Sequence, residues 1–191
     1  MNKELIELRI LIDSLPDAAF ILEDRIFVDC NKAALNLLRC EDKKHIVGKS
    51  PLDLSPPKQY DGISSITKGE ELFKMILNKK INKFKWLHRK LNGEDILVEV
   101  NIIYIYLNGK TTICALWKDI TELYKAEKAL YEKDEQYKRL VSSLPEIVLV
   151  HKEGKILFAN QATTSILGYT PEEMLNTSVF DYAKEEYKSL I

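Results

Sequence analysis

KFKWLHRKLNGEDILVEVNIIYIYLNGKTTICALWK, residues 83–118, decides the fold. Three strand-like runs, Lys83–Lys90, Asp95–Tyr106 and Thr111–Lys118, are separated by Asn92-Gly93 and Asn108-Gly109. Asn-Gly is the preferred pair for a two-residue hairpin turn, so the spacing predicts an antiparallel meander with two such turns. Side chains alternate across a strand, which assigns faces. Phe84, Trp86 and His88 share one side, and Lys83, Lys85 and Arg89 the other. Val98, Val100, Ile102 and Tyr104 share a side opposite Glu99 and Asn101, while Ile113, Ala115 and Trp117 share a side of the third strand. One face of the meander is apolar and aromatic, and it needs a cover.

The preceding residues supply that cover. Ala18–Leu22 and Ile26–Asp29 read as two short strands around the turn Glu23-Asp24-Arg25. Asn31 is a good helix N-cap for Lys32–Arg39, whose apolar side carries Ala34, Leu37 and Leu38. Residues 41–62 are broken by Gly48, Pro51, Pro56, Pro57 and Gly62, which predicts short helical turns and loop. Thr67–Lys79 reads as a helix with Leu72, Met75 and Ile76, and its basic end suits the helix dipole. The class is therefore α+β, with the helices of 31–79 packed on the apolar sheet face. Residues 3–14 place Leu5, Leu8, Ile12 and Leu15 at helical spacing. That helix is too short to persist alone, so it should pack on the domain or on a partner.

Beyond the meander, residues 117–145 (WKDITELYKAEKALYEKDEQYKRLVSSLP) turn from strand into charged helix. Asp119 is the expected N-cap, with Glu122 placed for a capping box. Leu123, Leu130, Tyr137 and Leu144 recur every seven residues. The second apolar row, Ala126, Lys133 and Leu140, is imperfect. Asp134–Lys138 and Glu135–Arg139 are acid-before-base pairs one turn apart. Two readings stay open: a solvated linker helix, or a dimerising signal helix.

The 129-residue spacing between Pro16 and Pro145 also separates Asn31 from Asn160, Ala33 from Ala162 and Leu38 from Leu167. The texts SLPDAAFILEDRIFVDCNKAALNLL and SLPEIVLVHKEGKILFANQATTSIL thus run in parallel without a gap, which points to module duplication. Thr170-Pro171-Glu172-Glu173 in the second copy is a capping box with proline at the first helical position. No second meander follows, so the second copy is expected to be incomplete, with this chain a piece of a longer protein or its second module completed by something else. The divisions expected are 1–15 (N-terminal helix), 16–119 (first domain), 120–143 (connector helix) and 144–191 (partial second domain).

Bulk composition excludes several classes. With 46% hydrophobic and 30% charged residues, the 191-residue chain reads as one or two soluble globular domains. A net charge of −1 gives no electrostatic footprint for nucleic acid or a membrane surface. No apolar run is long enough to span a bilayer, and the charged N-terminus is unlike a signal peptide. Three widely spaced cysteines, Cys30, Cys40 and Cys114, argue for a reducing compartment, hence a cytoplasmic protein.

The order helix, two strands, helices, three strands and a closing Asp-Ile-Thr resembles the PAS domain family. The matching text is SLPDAAFIL, FVDCNKAAL, GKSPLDLSPP, FKWLHRKLNGEDILVEV and LWKDITE. It covers roughly residues 5–125 as a whole domain and 136–191 as the first half of another. The resemblance implies a five-stranded antiparallel sheet with helices on one face around a small pocket. It implies sensing of a small molecule, light or redox state, or dimerisation, upstream of an output such as a histidine kinase. By similarity, Asp119 and Thr121 form the junction between last strand and output helix. The pocket expected from the inward faces takes Phe84, Trp86 and His88 from the first meander strand and Val98, Val100 and Ile102 from the second. Ala115 and Trp117 come from the third, with Phe20 and Met75 from the elements before it.

No catalytic constellation stands out. There is no phosphate-cradling glycine loop, no paired-cysteine motif and no His-Glu-x-x-His, and the chain contains no kinase segment. His45, His88 and His151 show no metal spacing. His88 alternates with Phe84 and Trp86 toward the covered face, where a hydrogen-bonded core histidine is the ordinary role. The expected cofactor is unknown. Haem is disfavoured because no histidine falls in the 66–79 helix, where haem-binding relatives usually place one, and flavin because Cys30 and Cys40 lack the Asn-Cys-Arg-Phe context. A small organic ligand and a simply packed core both satisfy the inward aromatics. The functional expectations are, in order, a sensor that relays through the connector helix, a ligand-free homodimerising scaffold, and an enzyme acting through His88.

Overall fold

The computed structural model describes residues 3–107 and 110–182. The chain falls into two units, Met1–Lys125 and Ala126–Ile191. The first holds α1 (Lys3–Ser14), β1 (Ala18–Glu23), β2 (Ile26–Cys30), α2 (Lys32–Leu37), α3 (Ser65–Leu77), β3 (Lys83–Arg89), β4 (Asp95–Leu107) and β5 (Lys110–Asp119). Short 3-10 turns at Lys43–His45 and Pro51–Leu54 lie between α2 and α3. The five strands form one antiparallel sheet in the order β2-β1-β5-β4-β3. The meander forms as read, with Trp86 opposite Val98 and Val100 opposite Trp117. β1 then lies along β5, with Phe20 opposite Ala115.

The inner sheet face buries Phe20, Phe27, Trp86, Val98, Val100, Ala115 and Trp117 against Ala34, Leu38, Leu54 and Ile76. Phe20, Phe27 and Trp117 pack ring against ring, the closest centroids 4.1 Å apart. The outer face is covered too. Ala19, Ile21 and Cys114 pack on Ile12 of α1, with Leu15 beside them. β1 explains this: its sequence AAFIL has no polar alternation, and all five residues are buried. A strand apolar on both sides needs a layer on each. So α2 and α3 share one face, and α1 takes the opposite one. The Leu5 and Leu8 side chains lie outside what the structure describes.

Three local expectations are corrected. The first Asn-Gly is not a two-residue turn. Gly93 N–H donates to the Lys90 carbonyl at 3.0 Å, and Lys90 pairs with Glu94 at 2.8 Å. This is a three-residue loop, Leu91-Asn92-Gly93, in which only Gly93 has positive φ (+90°). Glycine supplies the left-handed residue that such a loop needs. The Asn108-Gly109 turn lies outside the described residues. The 65–77 helix starts two residues before the predicted position and ends two residues early, because Lys79 is already left-handed (φ +53°). Likewise α2 stops at Leu37, capped by Leu38, and Arg39 takes φ +55°.

Arg39 has a counterpart 129 residues on, Gly168, which ends the matching helix at φ +80°. The same left-handed stop is thus made by arginine in one copy and glycine in the other. Left-handed backbone costs a non-glycine residue about 1 kcal/mol. Arg39→Gly is expected to raise the stability of the first unit by roughly that amount, read as a shifted urea midpoint. A midpoint that falls would show that the Arg39 side chain outweighs the backbone.

The second unit contains β6 (Leu149–Lys152), β7 (Lys155–Ala159), α5 (Ala162–Leu167), α6 (Pro171–Met174) and a 3-10 turn at Val179–Asp181. The duplication holds in detail. β1–β2 carry a register shift between Ile21 and Leu22, and β6–β7 carry one between Val150 and His151, the aligned positions. The turn residues Asp24 and Arg25 have positive φ, as do Glu153 and Gly154. The capping box at Thr170 and Glu173 forms as read. Ile156, Ala159, Met174 and Val179 make the small core of this unit. No helix among the described residues is long and apolar enough to cross a membrane.

Candidate functional site: a cavity and its exit

Between the inner sheet face and α3 lies a cavity of about 120 Å³. Of the residues expected there, Phe84, Trp86, His88, Val100, Ile102, Ala115 and Trp117 line it. Phe20 and Val98 are fully buried in the surrounding core and do not reach it. Met75 does not belong: it is 41% exposed and points away. Helical spacing gives the reason. Gly69, Leu72, Phe73 and Ile76 form the inward stripe of α3, and Met75 sits off that stripe. Gly69 permits close approach, since a Cβ there would meet Leu52 at 2.8 Å.

Sequence reading missed Leu22, Arg25 and Phe27 from the first hairpin, and Ser50, Pro51 and Leu52 from the 3-10 segment. Arg25 and Glu70 join across the cavity's edge, Nη1 to Oε1, at 2.7 Å. The Arg25 guanidinium also lies 3.9 Å from the Phe73 ring centroid. The sequence marks Arg25 only as the end of a turn, and nothing local links it to α3.

His88 is the polar feature of the inner wall. It is 2% exposed, stacked on Trp117 with centroids 3.7 Å apart and planes 12° from parallel. Its Nδ1 lies 3.0 Å from the Leu54 carbonyl, which can only accept, so Nδ1 carries the proton. Burial pushes its pKa down to about 3, so the ring is neutral. Ser55 ties the region together: its hydroxyl donates to Pro51 O at 2.7 Å and accepts from Trp86 Nε1 at 2.9 Å. Gln59 grips β3 from the same loop, accepting from Leu87 N–H (2.7 Å) and donating to Leu87 O (3.1 Å). Neither role is visible in a Pro-rich stretch without its distant partner.

The exit from the domain is the β5–α4 junction, where α4 spans Thr121–Ser142. Asp119 is not the N-cap. It is still in β5, paired opposite Val98, and Tyr124 N–H donates to Ile120 O, so the helix begins one residue later. Asp119 Oδ1 instead accepts from Thr121 N–H at 2.9 Å. Glu122 bonds Lys125 at 2.9 Å rather than closing a capping box. Thr121 Oγ1 accepts from Leu97 N–H at 3.0 Å, and Ile120 N–H donates to Leu97 O at 2.9 Å. The helix start is thereby stitched to β4 as well as to β5. Tyr124 stacks edge-on against Tyr60, centroids 5.9 Å apart, one residue from Gln59.

Along α4, Asp134–Lys138 forms at 2.8 Å, whereas Glu135 turns to Lys138 at 3.4 Å instead of pairing with Arg139. Leu123, Leu130, Tyr137 and Leu144 are all exposed in the single chain. Among the described residues no cluster of His, Cys, Asp and Glu could hold a metal ion. The Cys30 and Cys114 thiols are buried, and burial pushes each up to about 11, which keeps them protonated and unreactive.

A five-stranded antiparallel sheet closing over a small cavity, with its last strand continuing into a helix, matches one family. The chain belongs to the PAS family: the model described as PAS domain matches residues 16–122, and one described as PAS fold matches residues 135–190. It is 22% identical over 172 residues to sporulation kinase A of Bacillus subtilis (strain 168). That match takes in 90% of this chain but only 28% of the kinase. Among solved structures, the PAS domain of a Colwellia psychrerythraea protein is similar at TM-score 0.51 and 18% identity, covering 63% of this chain and 99% of that one. An RNA-binding light-oxygen-voltage receptor is similar at TM-score 0.54 and 13% identity, covering 73% of this chain and 40% of that one. At these identities the two structures speak for the fold alone.

Proposed function

We propose that this chain is a sensory input and relay segment of a signalling protein, of the type that feeds a histidine kinase. On this reading the first domain takes a small molecule in its cavity and the connector helix carries the response onward. The observation that supports it is a shared strand. Ile113, Ala115 and Trp117 of β5 line the cavity, and the same strand ends at Asp119, where α4 is bonded on. A ligand that shifts β5 acts on the helix start directly. The segment itself is read as non-catalytic and cytoplasmic, with no role for nucleic acid and with the output domain elsewhere in the parent protein.

A second reading, a homodimerising scaffold, draws on the exposed seven-residue stripe of α4. Two copies packed along it, with the N-terminal helices, would place the junctions side by side. The two readings are compatible if dimer geometry is what the ligand changes.

The test is made in the parent protein with its output domain. Coupling between a ligand site and an output is typically about 1–3 kcal/mol, a 5–150-fold effect. Asp119→Ala and Thr121→Val remove the bonds at the helix start while leaving the cavity lining intact. Each is expected to cut the ligand-dependent change in output at least fivefold at unchanged ligand affinity. Full output response in both variants would remove the junction from the mechanism.

A further inference from the structure

The cavity's chemistry restricts what fits it. Its walls are the apolar faces of Phe84, Val100, Ile102 and Ala115, with Trp117 at the back. The one pair of charges at its edge, Arg25 and Glu70, is satisfied internally at 2.7 Å and asks for no charged ligand. A volume of about 120 Å³ is somewhat less than that of an apolar cavity that accepts benzene, about 150 Å³.

His88 adds a polar atom of known sign. With Nδ1 committed to Leu54 O, the neutral ring presents a lone pair at Nε2. Nε2 makes no hydrogen bond to the described residues, and since no fully sealed polar side-chain atom among them lacks a partner, Nε2 keeps some accessible surface. The ring is itself a cavity wall and only 2% exposed, so a molecule held in the cavity lies against it. Stacking on Trp117 fixes the ring plane and therefore the lone-pair direction.

We infer that the cavity selects a small uncharged molecule, of about the size of one six-membered ring, that carries a single hydroxyl or N–H group, and that His88 Nε2 is the acceptor that reads it. This rests on the cavity being a ligand site, as proposed above. The discrimination has a physical basis. A ligand donor satisfies a buried acceptor, whereas an apolar isostere leaves it unpaired.

Phenol and toluene, matched in shape and differing in the donor, are the probes. Each is titrated into the whole chain at pH 7.5 by calorimetry, while the His88 ring nitrogens are followed by ¹⁵N NMR. Phenol is expected to bind about tenfold more tightly than toluene, and the Nε2 resonance is expected to move with phenol alone. His88→Phe is expected to abolish the preference while retaining toluene. The wild-type Nε2 signal decides the matter even if that variant does not fold. Equal binding of both probes, or phenol binding with an unmoved Nε2, would overturn His88 as the reader and leave the cavity a ligand site. Binding of neither would overturn both.

Discussion

Asn31→Ala is expected to destabilise the first domain by about 3–5 kcal/mol. Asn31 is fully buried and uses its whole side chain. Its Oδ1 accepts from Ala34 N–H (2.9 Å), capping α2, and from Ala19 N–H (3.0 Å) on β1. Its Nδ2 donates to Ile12 O (3.0 Å) at the end of α1 and to Asp17 O (2.9 Å). One amide thus fastens a helix end, a strand and a helix start. Truncation strands two N–H groups and weakens two carbonyls, at about 1–3 kcal/mol for each buried group left unmet. Asn31→Asp should fare little better, because a carboxylate cannot donate to Ile12 and Asp17. Urea unfolding checks it: a loss below about 1 kcal/mol would mean that water or a shifted backbone replaces the side chain.

Stability is expected to fall as pH drops from about 6.5 toward 4.5, because His88 folds neutral. Burial holds its folded pKa near 3, whereas the unfolded side chain titrates at its ordinary 6.5. Above pH 6.5 neither state takes a proton, so His88 contributes no slope. Below it the unfolded chain gains a proton that the folded ring refuses, and folding loses up to about 1.4 kcal/mol per pH unit. By pH 4.5 the cumulative loss is about 2–3 kcal/mol. Carboxylates held low by hydrogen bonds or lysines act in the same direction at more acidic pH, Glu94 and Glu173 from about pH 5.5 downward and Asp53 and Asp61 below that. The stretch from about pH 6.5 to 5.5 is therefore the diagnostic one. Unfolding free energies across that window should slope in the wild type and flatten in His88→Phe. Equal slopes would show that His88 is not the titrating group.

Much of this architecture was legible in the sequence because period-two alternation is a strong, local signal. Residues 83–118 carried it through three strands, and their inward faces delivered most of the cavity wall. The turn at 91–93 was less legible, since Asn-Gly serves equally as the end of a three-residue loop. Met75 failed for a related reason. Apolar residues crowd the middle of α3, and only the contact with Leu52 and Trp86 through Gly69 fixes which stripe turns inward. Arg25, Gln59 and Ser55 were illegible in principle. Each acts through a partner 28 to 45 residues away. The outer-face position of α1 could have been deduced, because five consecutive apolar residues in β1 leave neither side fit for water.

The duplicated asparagine says where one module begins. Asn160 repeats the pattern of Asn31 apart from the helix cap: it accepts from Val148 N–H and donates to Val141 O and Glu146 O, the aligned partners. Val141 lies in the closing turn of α4 and corresponds to Ile12 in α1, and both side chains are buried. What was copied was therefore a helix and a hairpin together, and the stretch that leaves one sensor is already the opening piece of the next. A fragment trimmed to Pro16 would discard an acceptor its own amide requires and strip the lining from Ala19, Ile21 and Cys114. The sound place to cut lies ahead of the leading helix.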